Sequence, residues 1–248
     1  KMNDSGLLGL VDFCAGLTRF LVGKWREAGQ LTAQAERRFA EVGSMVSWEA
    51  ANSRLFSVWA LFYLGDVAGL SVRIPALTRE AEQRGDRYAV TGLRCGLSNV
   101  ALLAADDAVG ARAAVASAMA SWSTRSFHFQ HYWAALSETM IDLYLGETAV
   151  SLARMEACWR SLDASQLLQI QNVRVEARSL IARVLVALGR GDEALRHADA
   201  LEGEHVGWAN ALAAMIRGLV EPDHEAGLRT ALELFDENEM ALFSATTR

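Results

Sequence analysis

One helix ending returns along the whole chain, and nothing else in the sequence limits its fold as much. Trp59-Ala60-Leu61-Phe62-Tyr63-Leu64-Gly65-Asp66 is an apolar helix end closed by a glycine and an acid. It recurs as Phe20-Leu21-Val22-Gly23-Lys24, Leu102-Leu103-Ala104-Ala105-Asp106, Leu143-Tyr144-Leu145-Gly146-Glu147 and Ala187-Leu188-Gly189-Arg190-Gly191-Asp192. From Gly23 through Gly65, Ala105 and Gly146 to Gly191 the steps are 42, 40, 41 and 45 residues. A period near 41 is the mark of a helical solenoid, in which each unit packs only on its neighbours. The expected fold is all-α: a right-handed α-solenoid of roughly six antiparallel helix hairpins, forming one domain over residues 1–248.

The chemistry of the ending explains its recurrence. Glycine takes the left-handed conformation that stops one helix, and the acid caps the N–H groups that open the next. Apolar periodicity then predicts hairpins that pair 6–22 with 25–42, 47–64 with 67–83, 87–104 with 107–122, 127–145 with 148–162, 167–188 with 193–201, and 207–219 with 224–235. Pro75 falls inside the fourth of these helices, so either that helix kinks or a new helix begins there. A last stretch, 239–247, puts Met240, Leu242 and Phe243 on one face with no partner helix after it. This uncovered face predicts that the native chain continues past Arg248 or that the helix docks on another molecule. Stacked hairpins leave a concave surface lined by the first helix of each pair, the expected binding face.

Composition narrows the function. Only two prolines, Pro75 and Pro222, occur in 248 residues, and 30 acidic side chains outnumber 24 Lys and Arg for a net charge of -6. An acidic chain without a basic block is a poor partner for nucleic acid or anionic membranes. No apolar run reaches the roughly 20 residues a bilayer requires. Lys1-Met2-Asn3-Asp4-Ser5 carries no basic-then-apolar leader, and the abrupt start and end read as those of an excised fragment. Cys14, Cys95 and Cys158 are odd in number and far apart, which predicts buried reduced thiols in a cytoplasmic protein.

No catalytic equipment is legible. Gly189-Arg190-Gly191 ends a helix rather than following a strand, no G-x-x-x-x-G-K occurs, and no nucleophile sits in a recognised elbow. Arg84-Gly85-Asp86 and Arg190-Gly191-Asp192 spell an adhesion tripeptide, but both fall where a turn and a cap are needed. The densest polar and aromatic cluster is Phe127-His128-Phe129-Gln130-His131-Tyr132-Trp133. Helical metal sites want two histidines four apart plus a third ligand; His128 and His131 are three apart, which favours a structural role at a helix start. No metal and no cofactor is expected. Arg54, Trp59, Gln130, Gln171, Arg174 and Glu176 fall on first helices. With His128, His131 and Trp133 they form the candidate binding set for the concave face, although packing roles compete for each.

Ala187-Leu188-Gly189-Arg190-Gly191-Asp192-Glu193-Ala194-Leu195 resembles the turn between the two helices of a tetratricopeptide repeat, with a period near 41 rather than 34. From about Leu21 onward the chain also resembles the helical C-terminal region of bacterial signalling proteins that join a serine/threonine kinase domain to an AAA-type ATPase. Arg54-Leu55-Phe56 with Trp59 to Gly65, Arg84 to Tyr88, Phe127 to Trp133, Ile141 to Tyr144, Leu168 to Gln171 and Arg174 to Ala177 carry that resemblance. It implies a regulatory, non-catalytic scaffold or sensor that takes a peptide, a protein, a small effector or the upstream domains of its own chain. The kinase chemistry would lie upstream. Two further readings are an inducer-binding domain of an ATPase-type transcription activator and a metal hydrolase centred on His128 and His131.

Overall fold

The computed structural model describes residues 4–43, 47–120 and 122–248. Lys1-Met2-Asn3, part of the stretch in which no leader is expected, and Ser121 of the predicted helix 107–122 lie outside them. The described residues form fourteen α-helices and two 3-10 turns, with no strand among them. In chain order the helices are α1 (Asp4–Leu21), α2 (Trp25–Val42), α3 (Ser47–Tyr63), α4 (Val67–Gln83), α5 (Arg87–Arg94), α6 (Val100–Ala104) and α7 (Ala108–Met119). They continue as α8 (Phe129–Tyr144), α9 (Thr148–Ala164), α10 (Gln171–Ala187), α11 (Gly191–Glu202), α12 (Gly207–Val220), α13 (His224–Glu237) and α14 (Ala241–Thr247). Each hairpin packs on the next, and the first helices touch one another in the order α1, α3, α5, α8, α10, α12. This all-helical arrangement is compatible with an α-solenoid.

The turn chemistry follows the sequence with two shifts. Positive φ falls on Gly23 (80°), Gly65 (69°), Asp106 (59°), Gly146 (77°) and Gly189 (70°), so the third and fifth markers are Asp106 and Gly189 instead of Ala105 and Gly191. Asp tolerates the left-handed region better than Ala does, and Gly191 is already the first residue of α11. Asp66 Oδ1 accepts from the Gly69 N–H at 2.8 Å and Asp107 Oδ1 from Gly110 at 2.7 Å. Glu147 makes no such cap; its carboxylate lies 3.3 Å from Arg112. Asp192 stands inside the first turn of α11 and acts there on the helix dipole alone.

Four expectations are corrected. The predicted helix 87–104 is broken: Cys95 is extended, Gly96 has φ 64°, and Gly96–Asn99 is a 3-10 turn. The break holds because side chains satisfy the freed carbonyls, with Ser98 Oγ donating to Gly92 O at 2.9 Å and Asn99 Nδ2 to Arg94 O at 2.9 Å; Asn99 Nδ2 also donates to Ala111 O of α7 at 3.1 Å. Likewise 167–169 is a 3-10 turn, and α10 starts only at Gln171. Cys14 is exposed, whereas Cys95 and Cys158 are buried. Finally, α14 is covered: Phe243 packs against Phe62 at 5.9 Å and Phe235 at 5.5 Å between ring centroids. Pro75 lies within a helix that continues to Gln83, so no new helix begins there.

Covering α14 closes the molecule on itself. α14 packs on α3, Arg26 Nε donates to Glu239 Oε1 at 2.8 Å, and Trp25 stacks on Tyr63 at 3.7 Å while meeting Trp208 edge-on at 5.6 Å. Trp25, Tyr63 and Trp208 are at most 2% exposed; burying each such ring is worth about 2–3 kcal/mol. Two glycines permit the approach. A Cβ on Gly23 would stand 2.8 Å from the Trp208 ring, and one on Gly65 would stand 2.9 Å from the Leu242 nitrogen. The inner faces of the first helices line cavities within this arrangement.

Candidate functional site

Val173, Glu176, Leu180 and Arg183 recur along α10 at helical spacing, so they share one face, and that face points inward. Tyr63 Oη from α3 donates to Glu176 Oε1 at 3.0 Å, and Tyr132 Oη from α8 donates to Oε2 at 3.0 Å. Each carboxylate oxygen thus accepts from one phenol. No cation pairs with Glu176 among the described residues. Burial pushes its pKa up to about 7, against the opposing pull of the two tyrosine hydrogen bonds. Burial, and then the neighbouring carboxylate, drive both phenols well above the usual tyrosine range.

On one side of Glu176 lies a cavity of about 300 Å³. Its walls are apolar, partly aliphatic and partly aromatic, the rings being Phe56 and Trp59 from α3, Tyr88 from α5, and Phe129, Tyr132 and Trp133 from α8. Trp59 and Trp133 meet at 5.4 Å and 65°, and Tyr88 stands 5.7 Å from Trp133. The broken helix contributes directly, because Gly96 lies against the Trp133 ring in the lining. Asn52 and Asn172 supply neutral polar groups; Asn52 Oδ1 accepts from Tyr88 Oη at 2.9 Å. The Trp59 indole N–H is buried without a hydrogen-bond partner among the described residues.

Beyond Glu176 a void of about 40 Å³ leads toward Arg183. Arg183 also lines a third, largely apolar cavity of about 420 Å³ with Leu103, Leu143, Met215 and Leu242. Its guanidinium has no ion-pair or hydrogen-bond partner among the described residues, and burial holds its pKa below the usual arginine range.

The structure divides the residues singled out in the sequence. Trp59, Trp133 and Glu176 are brought together in the aromatic cavity. Arg54 instead bridges Glu36 at 3.0 Å and Glu80 at 3.1 Å among α2, α3 and α4. Gln171 and Arg174 bind Glu204, Gln171 Nε2 to its carbonyl at 2.8 Å and Arg174 Nε to Oε1 at 2.5 Å. His131 Nδ1 accepts the His128 backbone N–H at 3.1 Å, while the His128 ring pairs with Ser126 Oγ at 2.8 Å. That ties both histidines to the start of α8, with Gln130 buried between them. Among the described residues no group of three or more His, Cys, Asp or Glu side chains is placed to hold a metal ion.

Tyr63, Tyr132 and Arg183 are inner-face residues absent from the candidate set, as are Phe56, Tyr88 and Phe129 of the cavity wall. Arg183 had a legible signal, since it follows Glu176 by seven residues in an otherwise apolar stripe. Tyr63 and Tyr132 had none, because they reach Glu176 across 113 and 44 residues of chain. Among the described residues no helix is long and apolar enough to cross a membrane. Compared with protein-family models, with curated proteins and with solved structures, the chain finds no match.

Proposed function

We propose that this chain is a non-catalytic sensor module, a tetratricopeptide-like right-handed solenoid with a period near 41 residues that takes a small effector inside its ring. The observation that carries the reading is the cavity of about 300 Å³ beside Glu176. It has the size and the apolar, aromatic character of small-molecule sites, with few polar groups to orient a ligand. A peptide laid along an open groove fits less well, because the first and last hairpins touch. The positive-φ turns at Gly23, Gly65, Asp106, Gly146 and Gly189, 40 to 43 residues apart, support the repeat period.

The resemblance to the C-terminal regions of bacterial kinase and ATPase proteins supports reading this module as a regulatory arm, with the upstream domains as its protein partner. α1 offers a surface for them: Leu7, Leu8, Leu10 and Val11 expose 38–64% of their area on one side of the helix. The test is autophosphorylation of the full-length protein with and without these residues, at increasing effector. A rate that changes with effector only when the module is present supports the reading. An effector response that persists without the module would overturn it.

A further inference from the structure

We propose that the cavity beside Glu176 takes an organic cation of modest size, an amine or quaternary ammonium carried on an apolar or aromatic group. This rests on the small-effector reading above and names its ligand class.

Charge is the first argument. Of the side chains that line the cavity, Glu176 alone is an acid or a base strong enough to be charged near neutral pH; the rest are apolar, phenolic or amide groups. Both of its oxygens accept from phenols, so the tyrosines are set to hold a carboxylate anion. An enclosed carboxylate with no cationic partner is costly, and a ligand that brings the opposite charge relieves that cost. An anionic ligand would meet repulsion with no base in the lining to offset it.

The walls supply the second argument. Aromatic faces attract ammonium groups through the negative potential of the ring, more strongly where water is excluded. Trp59, Tyr88 and Phe129 gather around Trp133 in the lining, at 5.4, 5.7 and 6.1 Å between ring centroids. Indole N–H groups and neutral amides leave room for a polar atom on the ligand without competing for its charge. The volume admits a group the size of a substituted benzylamine.

The groups that face Glu176 are Tyr63 from α3, Tyr132 from α8 and, across the small void on its own helix, Arg183. Arg183 makes no ion pair with it, so the carboxylate is free to serve a ligand. Because Glu176 takes up a proton near pH 7, cation affinity should rise as the pH climbs from 6 to 8. A neutral ligand should show no such rise.

The experiment titrates the chain with three probes of one size: benzyltrimethylammonium, its uncharged carbon isostere neopentylbenzene, and phenylacetate. Tryptophan fluorescence and calorimetry report binding at pH 6 and pH 8. We expect the cation to bind at least tenfold more tightly than the isostere at pH 8, with that preference shrinking at pH 6. Glu176→Gln should abolish the preference, and Trp133→Leu should weaken the cation more than the isostere; circular dichroism confirms that each variant is folded. Equal binding of cation and isostere, or tighter binding of phenylacetate, would overturn the cation proposal while leaving a small-molecule cavity. Failure of all three probes to bind would overturn the small-effector reading with it.

Discussion

At the scale of single residues, two inward charges on α10 cost the fold something that function would recover. Glu176 has its pKa raised from 4.5 to about 7 in the folded state, so the folded form holds a proton that the unfolded form has already lost. The stability this adds is full below about pH 4.5, falls as the pH rises toward 7, and is gone above it, a swing on the order of 3 kcal/mol. His197 works the other way: burial, then Arg178 and Arg196, hold it down at about 4, so stability is lost as the pH falls toward that value. Comparing Glu176→Gln with the parent isolates the carboxylate. The variant should melt higher than the parent at pH 8 and nearly level with it at pH 5, and a constant gap across both would contradict the assigned cost. Arg183→Met removes an unpaired guanidinium from an apolar lining and should raise the melting temperature by a few degrees at either pH, about 1–2 kcal/mol. The sequence carried part of this. Glu176 stood among the candidate residues because it lies on a first helix, but its phenol partners depend on how three helices rotate against one another.

Among the elements, helix identity was legible and helix continuity was not. The ranges of α2 and α4 follow from apolar stripes and turn residues close at hand, and they agree with the structure end to end. The interruption at Cys95 and Gly96 depends on distant partners: Ala111 O accepts from Asn99 Nδ2 at 3.1 Å, and Ser137 Oγ donates to Gly96 O at 3.4 Å. Nothing within one turn of the break announces them. The turn glycines likewise look alike in sequence but differ in surroundings. Gly65 and Gly85 both have positive φ, near 69° and 68°, yet a Cβ on Gly65 would collide with the start of α14, whereas one on Gly85 meets nothing within 4 Å. Gly85→Ala therefore reports the left-handed backbone cost alone, about 1–2 kcal/mol. Gly65→Ala should cost more and should also raise protease cleavage in α14. Equal losses in chemical denaturation would mean that the contact between α3 and α14 contributes nothing.

For the whole molecule, the sequence told that the chain is all-helical but not that its two ends meet, because Gly23 against Trp208 and Arg26 against Glu239 are encounters between opposite ends of the chain. A linear array of repeats loses structure from its tips inward, since a terminal unit has one neighbour where an inner unit has two. Joined tips have two neighbours as well. Amide hydrogen exchange should accordingly show α2 and α12 protected about as strongly as α8 and α10, whereas protection that declines steadily from the middle outward would show that the two ends make no energetic contribution to each other. Breaking the seam with Trp208→Ala should restore that decline. A molecule joined in this way would not fray but stay whole until it ruptured, so a ligand that tightened the interior would need only to keep one joint from parting.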